Sequence, residues 1–125
     1  MKRFSEEHEW VELVEGTATV GITAYAASEL GDITFIELPE TGVVLGQGEV
    51  LCVVESVKAA SDVFVPIGGT IVEVNGKLEE EPELLNESAE NDAWICRLNE
   101  VDASEMEGLM TEREYETFTS SDDDV

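Results

Sequence analysis

The sequence predicts a mainly β protein, a sandwich or barrel of short antiparallel strands in which helices occur only as brief insertions and at the end. Three observations carry this. Apolar residues alternate with polar ones over short runs, turn-forming Gly, Pro and Asn-Gly signals recur about every eight to twelve residues, and β-branched residues crowd the runs between them. At 125 residues the chain is long enough for one buried core and short for two. Residues 1–119 are therefore read as one domain, and residues 120–125 as an acidic, disordered tail.

Residues 10–23 have the pattern of a hairpin. Val11 and Leu13 alternate with polar neighbours, Glu15-Gly16 supplies the turn, and Ala18, Val20 and Ile22 alternate on the return. Thr23 is placed to cap a helix over residues 24–30, and Gly31 suits a left-handed exit. Two helical turns cannot stand alone, so this helix must lean on the sheet. Residues 33–38 read as a strand stopped by Pro39, and Glu40-Thr41-Gly42 turns the chain into Val43-Val44-Leu45. After Gly46-Gln47-Gly48 come two apolar runs, residues 50–54 and 63–65, flanking a short polar insert. They predict a hairpin with Glu55-Ser56-Val57-Lys58-Ala59 exposed at its tip.

Pro66-Ile67-Gly68-Gly69 breaks the extended run, and residues 70–74 resume it as far as Asn75-Gly76. Residues 77–92 are acidic and poorly periodic, and are read as a loop tacked down at Leu84-Leu85. Residues 94–98 read as a last strand with Trp94, Cys96 and Leu98 on one face. Asp102-Ala103-Ser104-Glu105 has capping-box spacing and predicts a helix carrying Met106, Leu109 and Met110. Thr111-Glu112-Arg113-Glu114 repeats the signal before a final turn or two with Tyr115 and Phe118.

Composition narrows the class of function. The hydrophobic fraction of 42% belongs to a folded globular chain, no stretch has the apolar length of a membrane span, and residues 1–7 lack the apolar core of a signal peptide. A soluble, intracellular protein is expected. Thirty acidic residues against six basic give a net charge of -24, which repels nucleic acid and anionic membranes at long range. Such self-repulsion is relieved by salt, and lysine is scarce, so adaptation to a salt-rich cytoplasm stands beside an ordinary solvated acidic surface. Cys52 and Cys96 both fall in expected strands and read as buried free thiols.

Few residues invite chemistry. His8, the single histidine, has no second histidine or nearby thiol to build a metal site or a nucleophile pair, and is read as a structural or hydrogen-bonding residue. The two cysteines have no neighbouring cation in sequence to lower their pKa. No glycine cluster has the phosphate-binding pattern, and the runs Glu79-Glu80-Glu81 and Asp122-Asp123-Asp124 lack the ligand spacing of a calcium loop. Lys58 is different. It is one of three lysines, stands on a rigid tip between the small or apolar Val57 and Ala59, and carries the one side-chain amine that acylation turns into a long arm.

Glu55-Ser56-Val57-Lys58-Ala59 resembles the lipoylation motif of the glycine cleavage system H-protein family. His8-Glu9-Trp10, Val20-Gly21-Ile22-Thr23, Tyr25-Ala26, Leu30-Gly31-Asp32-Ile33, Glu37-Leu38-Pro39 and Gly42 are similar to family blocks in the same order. So are Ser61-Asp62, Pro66-Ile67-Gly68-Gly69, Val74-Asn75, Leu78, Pro82, Leu84, Asn86, Trp94, Tyr115 and Phe118, so that the resemblance covers residues 4–118. Ala93 stands where the family usually has glycine, Ala89-Glu90 near a common Pro-Tyr pair, and Glu7 where serine is frequent.

The resemblance implies a lipoyl/biotinyl-type barrel-sandwich and a carrier rather than an enzyme. Lys58 would bear lipoate in amide linkage. The arm would take the aminomethyl group of glycine from the pyridoxal-phosphate glycine decarboxylase (P-protein) to the tetrahydrofolate-dependent aminomethyltransferase (T-protein), and electrons to dihydrolipoyl dehydrogenase (L-protein), with chemistry supplied by cofactor and partners. Lipoate-attaching enzymes would read the hairpin residues Glu55, Ser56, Val57 and Ala59. Glu9 and Asp62 resemble positions of a cleft that shelters the loaded arm from water, with Glu7 beside them. The compartment implied is the cytoplasm, or the mitochondrial matrix for a processed eukaryotic chain. Alternatives are a lipoyl relay to other complexes, a lipoyl or biotinyl domain of another multienzyme complex, and a non-lipoylated interaction protein on the same scaffold. Biotinyl domains usually flank their lysine with methionine, and complex-bound lipoyl domains are shorter.

Overall fold

The computed structural model describes residues 1–123. Among these residues nine strands form two facing sheets, joined by a few short helices: β1 (Lys2–Phe4), β2 (Glu9–Val14), β3 (Thr17–Ile22), α1 (Ala24–Leu30), β4 (Ile33–Glu37), β5 (Val44–Leu45), β6 (Val50–Ser56), β7 (Ala60–Phe64), β8 (Gly69–Val74), α2 (Lys77–Glu80), α3 (Leu84–Glu87), β9 (Cys96–Asn99), a 3-10 helix (Ala103–Gly108) and α4 (Glu112–Asp123). One sheet has the order β1-β2-β3-β9-β8-β5 and the other β4-β6-β7, with every pairing antiparallel. Neither closes on itself, so of the two all-β forms the sequence allows, the chain adopts a sandwich.

Alternation puts Val11, Val20, Ile36, Val54, Ile71 and Leu98 in one aliphatic core shared by the two sheets. Cys52 and Cys96 lie in it as buried free thiols, as expected. A second, aromatic cluster of Phe4, Trp10 and Tyr115 seats the C-terminal helix on the outer strand β1. At the β2-β3 turn, Glu15 and Gly16 have φ of 48° and 82°, the left-handed pair that a two-residue hairpin needs. Thr23 caps α1 by accepting from Ala26 N, and Gly31 leaves it at a φ of 79°. Gly21 is required for a different reason: a Cβ there would lie 2.7 Å from Trp10 Nε1.

Several elements differ from the sequence expectation. Residues 77–92 hold two single-turn helices, because Leu78 as well as Leu85 is fully buried and each pins a turn to the sandwich. The last strand begins at Cys96, with Ile95 and Cys96 both buried. Trp94 stays partly exposed under the Arg97 guanidinium, 3.9 Å from its ring. The helix expected after Asp102 is 3-10, since the Asp102 carboxylate accepts from Ser104 N while Glu105 turns away to Gly68 N. Leu109 and Met110 fall outside it. The reciprocal capping box forms instead at Thr111 and Glu114. It starts a helix longer than a turn or two, which continues through Asp123, into the residues 120–125 expected to be a disordered tail. Asp124 and Val125 lie outside the described residues. Strand β1 had no clear signal in three residues; it forms because it pairs with β2.

Candidate functional site

Strands β6 and β7 pair from Val50↔Phe64 to Glu55↔Ala60 and present Lys58 at their tip. The Ser56 hydroxyl holds the tip's shape. It accepts from Lys58 N at 3.2 Å and Ala59 N at 3.3 Å and donates to Ala59 O at 3.2 Å, while Ser56 N also donates to Ala59 O at 2.9 Å. Val57 N donates to Asp32 O at 3.0 Å and ties the tip to the loop after α1. Val57, Lys58 and Ala59 are exposed, and so is Glu55. The Lys58 side chain does not point straight into solvent. It runs past Gly31, and its ammonium donates to Glu29 O at 3.3 Å, one of the free carbonyls at the negative end of α1.

Beside that helix lies a cleft of about 200 Å³, lined by Glu7, His8, Glu9 and Ile22 on one wall, Ala26, Glu29 and Leu30 on α1, and Ser61, Asp62 and Val63 on β7. Among the described residues, four carboxylates and no Lys or Arg line it, above an apolar floor. Glu7, Glu9 and Asp62, expected from sequence to gather, do come together here; the hairpin residues Glu55, Ser56, Val57 and Ala59 do not line it. Sequence alone does not place Glu29 here, nor does it assign Ser61, part of a matched family block, to the cleft. Ala26, Glu29 and Leu30 stand at helical i, i+3, i+4 spacing, a signal that marks Glu29 once this face of α1 is recognised.

Glu9 is set apart from the other three. It is 2% exposed, whereas Glu7, Glu29 and Asp62 are at the surface. Its carboxylate accepts from Ser5 Oγ at 2.6 Å and from Phe64 N at 3.2 Å, so it bridges from β2 to the edge strand of the opposite sheet. Burial pushes its pKa from 4.5 up to about 7, against the opposing effect of the two hydrogen bonds. Such a group is poised to ionise when a cation enters the cleft. Burial likewise pushes the Cys52 and Cys96 thiols upward, which removes both as nucleophiles.

His8 occupies the left-handed region at a φ of 67° and hydrogen-bonds Tyr115 Oη through Nδ1 at 2.7 Å, the hydrogen-bonding role its isolation in sequence predicts. Near the departures from the family pattern, Glu90 pairs with Lys2 at 3.5 Å and accepts from Ala24 N at 2.9 Å. Ala89 O accepts from the Trp10 indole N–H at 3.0 Å, and Ala93 is fully buried. Among the described residues there is no cluster that could hold a metal ion, and no helix long and apolar enough to cross a membrane.

Comparison with known proteins gives one answer. The family model described as glycine cleavage H-protein matches residues 2–122. The glycine cleavage system H protein of Caulobacter vibrioides is 51% identical over 117 residues, spanning 93% of this chain and 96% of the relative. That of Thermotoga maritima is 44% identical over 122 residues, 98% of each. The crystal structure of the H protein from Mycobacterium marinum superposes with a TM-score of 0.86 at 30% identity, covering 95% of this chain and 96% of that one. The resemblance read from the lysine tip and its ordered company is thus borne out over nearly the full length, and this chain belongs to the glycine cleavage H-protein family.

Proposed function

We propose that this protein is the lipoyl carrier of a glycine cleavage system, with Lys58 as the attachment point and Glu9, Asp62 and Glu7 as the shelter for the loaded arm. It is a carrier and not an enzyme. The observation that carries the proposal is the placement of one exposed amine, on a tip braced by Ser56, beside a cleft lined by carboxylates.

The residues fit a lipoyl group. Lys58 Nζ is exposed for acylation, and Asp62 lies four residues beyond it, at most about 13 Å along an extended strand. The floor of Ile22, Ala26, Leu30 and Val63 offers apolar contact to an alkyl chain. Once attached, lipoate supplies a disulfide that opens to accept a one-carbon amine and closes again when the dithiol is reoxidised. The chain's own residues do the remainder. Ser56 orients the lysine, the α1 carbonyl end guides its stem, and Glu9 and Asp62 hold the ammonium of the loaded arm out of water, where it would otherwise lose its carbon.

Glycine decarboxylase, aminomethyltransferase and dihydrolipoyl dehydrogenase are the partners of this role, together with the enzymes that attach lipoate by reading Glu55, Ser56, Val57 and Ala59. Two buried free cysteines suit a reducing compartment, the cytoplasm or a mitochondrial matrix. Intact mass with peptide mapping of the protein from its own host tests the role. A lipoyl increment on Lys58, absent from Lys58→Arg, is expected; an unmodified native mass would overturn it.

A further inference from the structure

Thr23, Tyr115 and His8 form a hydrogen-bonded chain against the cleft. Tyr115 Oη lies 2.7 Å from both His8 Nδ1 and Thr23 Oγ1. Burial holds the phenol protonated, its pKa pushed up to about 12. Tyr115 therefore has one proton to donate, and the neighbour that does not receive it must donate instead. In a neutral ring, if Tyr115 donates to Thr23, His8 carries its proton on Nδ1 and its Nε2 is a bare acceptor. If Tyr115 donates to His8, the neutral ring carries its proton on Nε2 and offers a donor. His8 lines the cleft, and among the described residues only its Nδ1 is hydrogen-bonded.

This ring is held in place. Tyr25 lies against it at 4.7 Å, Tyr115 meets it edge-on at 5.7 Å, and Phe118 lies at 5.8 Å. Its backbone is pinned too, with His8 N donating to Ser5 O and Thr23 N donating to His8 O. Tyr115 is itself stacked on Phe4 at 4.7 Å and 9°. Through one hydroxyl, α4 thus joins the two walls of the cleft: the turn that presents Glu9, and Thr23, whose hydroxyl caps the helix that presents Glu29.

We propose that Tyr115 is a positioning residue which sets His8 as a hydrogen-bond acceptor for the cationic amine held in the cleft. This rests on the carrier role proposed above. An ammonium brings three donors; Glu9 and Asp62 accept two, the exposed Glu7 adds only its charge from the rim, and His8 Nε2 accepts the third only when Tyr115 donates toward Thr23. The opposite orientation sets an N–H against the ammonium and repels it. Loading the arm therefore selects one tautomer of His8.

Because His8 is the single histidine, its ring nitrogens give an unambiguous heteronuclear NMR signal. The lipoylated protein, its mass confirmed, is compared before and after loading from glycine with glycine decarboxylase. On loading, His8 should shift to the Nδ1–H tautomer, and Tyr115→Phe, which keeps the stack on Phe4, should mix the tautomers and shorten the lifetime of the loaded arm roughly tenfold. A loaded wild-type protein whose His8 carries its proton on Nε2 would overturn the proposal without recourse to any variant, as would a Tyr115→Phe protein of wild-type lifetime. Failure to find the lipoyl mass on Lys58 would instead overturn the carrier role itself.

Discussion

The hairpin tip and the cleft are neighbours in space and opposites in construction. The tip is a single contiguous segment, exposed, and shaped mainly by Ser56 hydrogen bonds between residues no more than three apart, with Val57 N donating to Asp32 O as its backbone tie to the rest of the fold. The cleft is drawn from three segments far apart in sequence, and its central carboxylate is 2% exposed. Tip residues can thus change without cost to the fold, whereas Glu9 is at once part of the fold and part of the site. Attachment and shelter should accordingly fail independently.

The largest expected effect is at the tip. Lys58→Arg should abolish arm attachment and all carrier activity, because guanidinium is not acylated, while stability changes by no more than about 0.5 kcal/mol. A melting temperature well below wild type would show that the lysine is structural after all.

Glu9→Gln probes the other half. The lifetime of the loaded arm should fall roughly tenfold with attachment intact, since a neutral amide keeps one acceptor oxygen, for Phe64 N, and turns a donor toward Ser5 Oγ, but has no charge. The same variant tests burial. With its pKa raised to about 7, Glu9 in the folded chain keeps a proton that the unfolded chain releases above 4.5. Its contribution is therefore fully present below 4.5 and is lost as pH rises through about 7, by up to about 3 kcal/mol. Denaturant titrations from about pH 4 to about pH 8 should show wild type losing stability relative to Glu9→Gln; parallel curves would contradict the burial.

Gly21→Ala strikes the strand behind the cleft. The added Cβ meets the Trp10 ring at 2.7–2.9 Å, and that ring is itself fixed by its bond to Ala89 O, so a loss of about 1–3 kcal/mol is expected in urea unfolding. Lipoylation of Lys58 should survive as long as the chain folds.

The smallest effect belongs to the cleft rim. Asp62→Asn should shorten the loaded lifetime about two- to fivefold, as exposed ion pairs do, and Glu7→Ser less. In 1 M KCl, where the screening length is about 3 Å, the Asp62 effect should vanish while that of Glu9 persists. Equal salt sensitivity at the two sites would erase the distinction between rim and interior.

Read from sequence alone, the all-β class, both hairpins, the Thr23 cap, the free thiols and Lys58 at an exposed tip were all legible. Each depends on alternation, turn chemistry or capping, which act within a few residues. What was missed involved partners distant in sequence. Leu78 turned an expected loop into helix, the Glu105 side chain left its capping box for Gly68, and β1 existed only by pairing with β2. Family resemblance named Glu7, Glu9 and Asp62 but could not rank them. Tertiary structure alone decided that Glu9 is the buried one, that Glu29 joins it, and that Tyr115, separated from His8 by 107 positions, meets its ring. The reason is physical: a turn or a cap is complete in the segment that encodes it, whereas the desolvation that shifts a carboxyl and the contact that orders a histidine exist only once distant strands close over them.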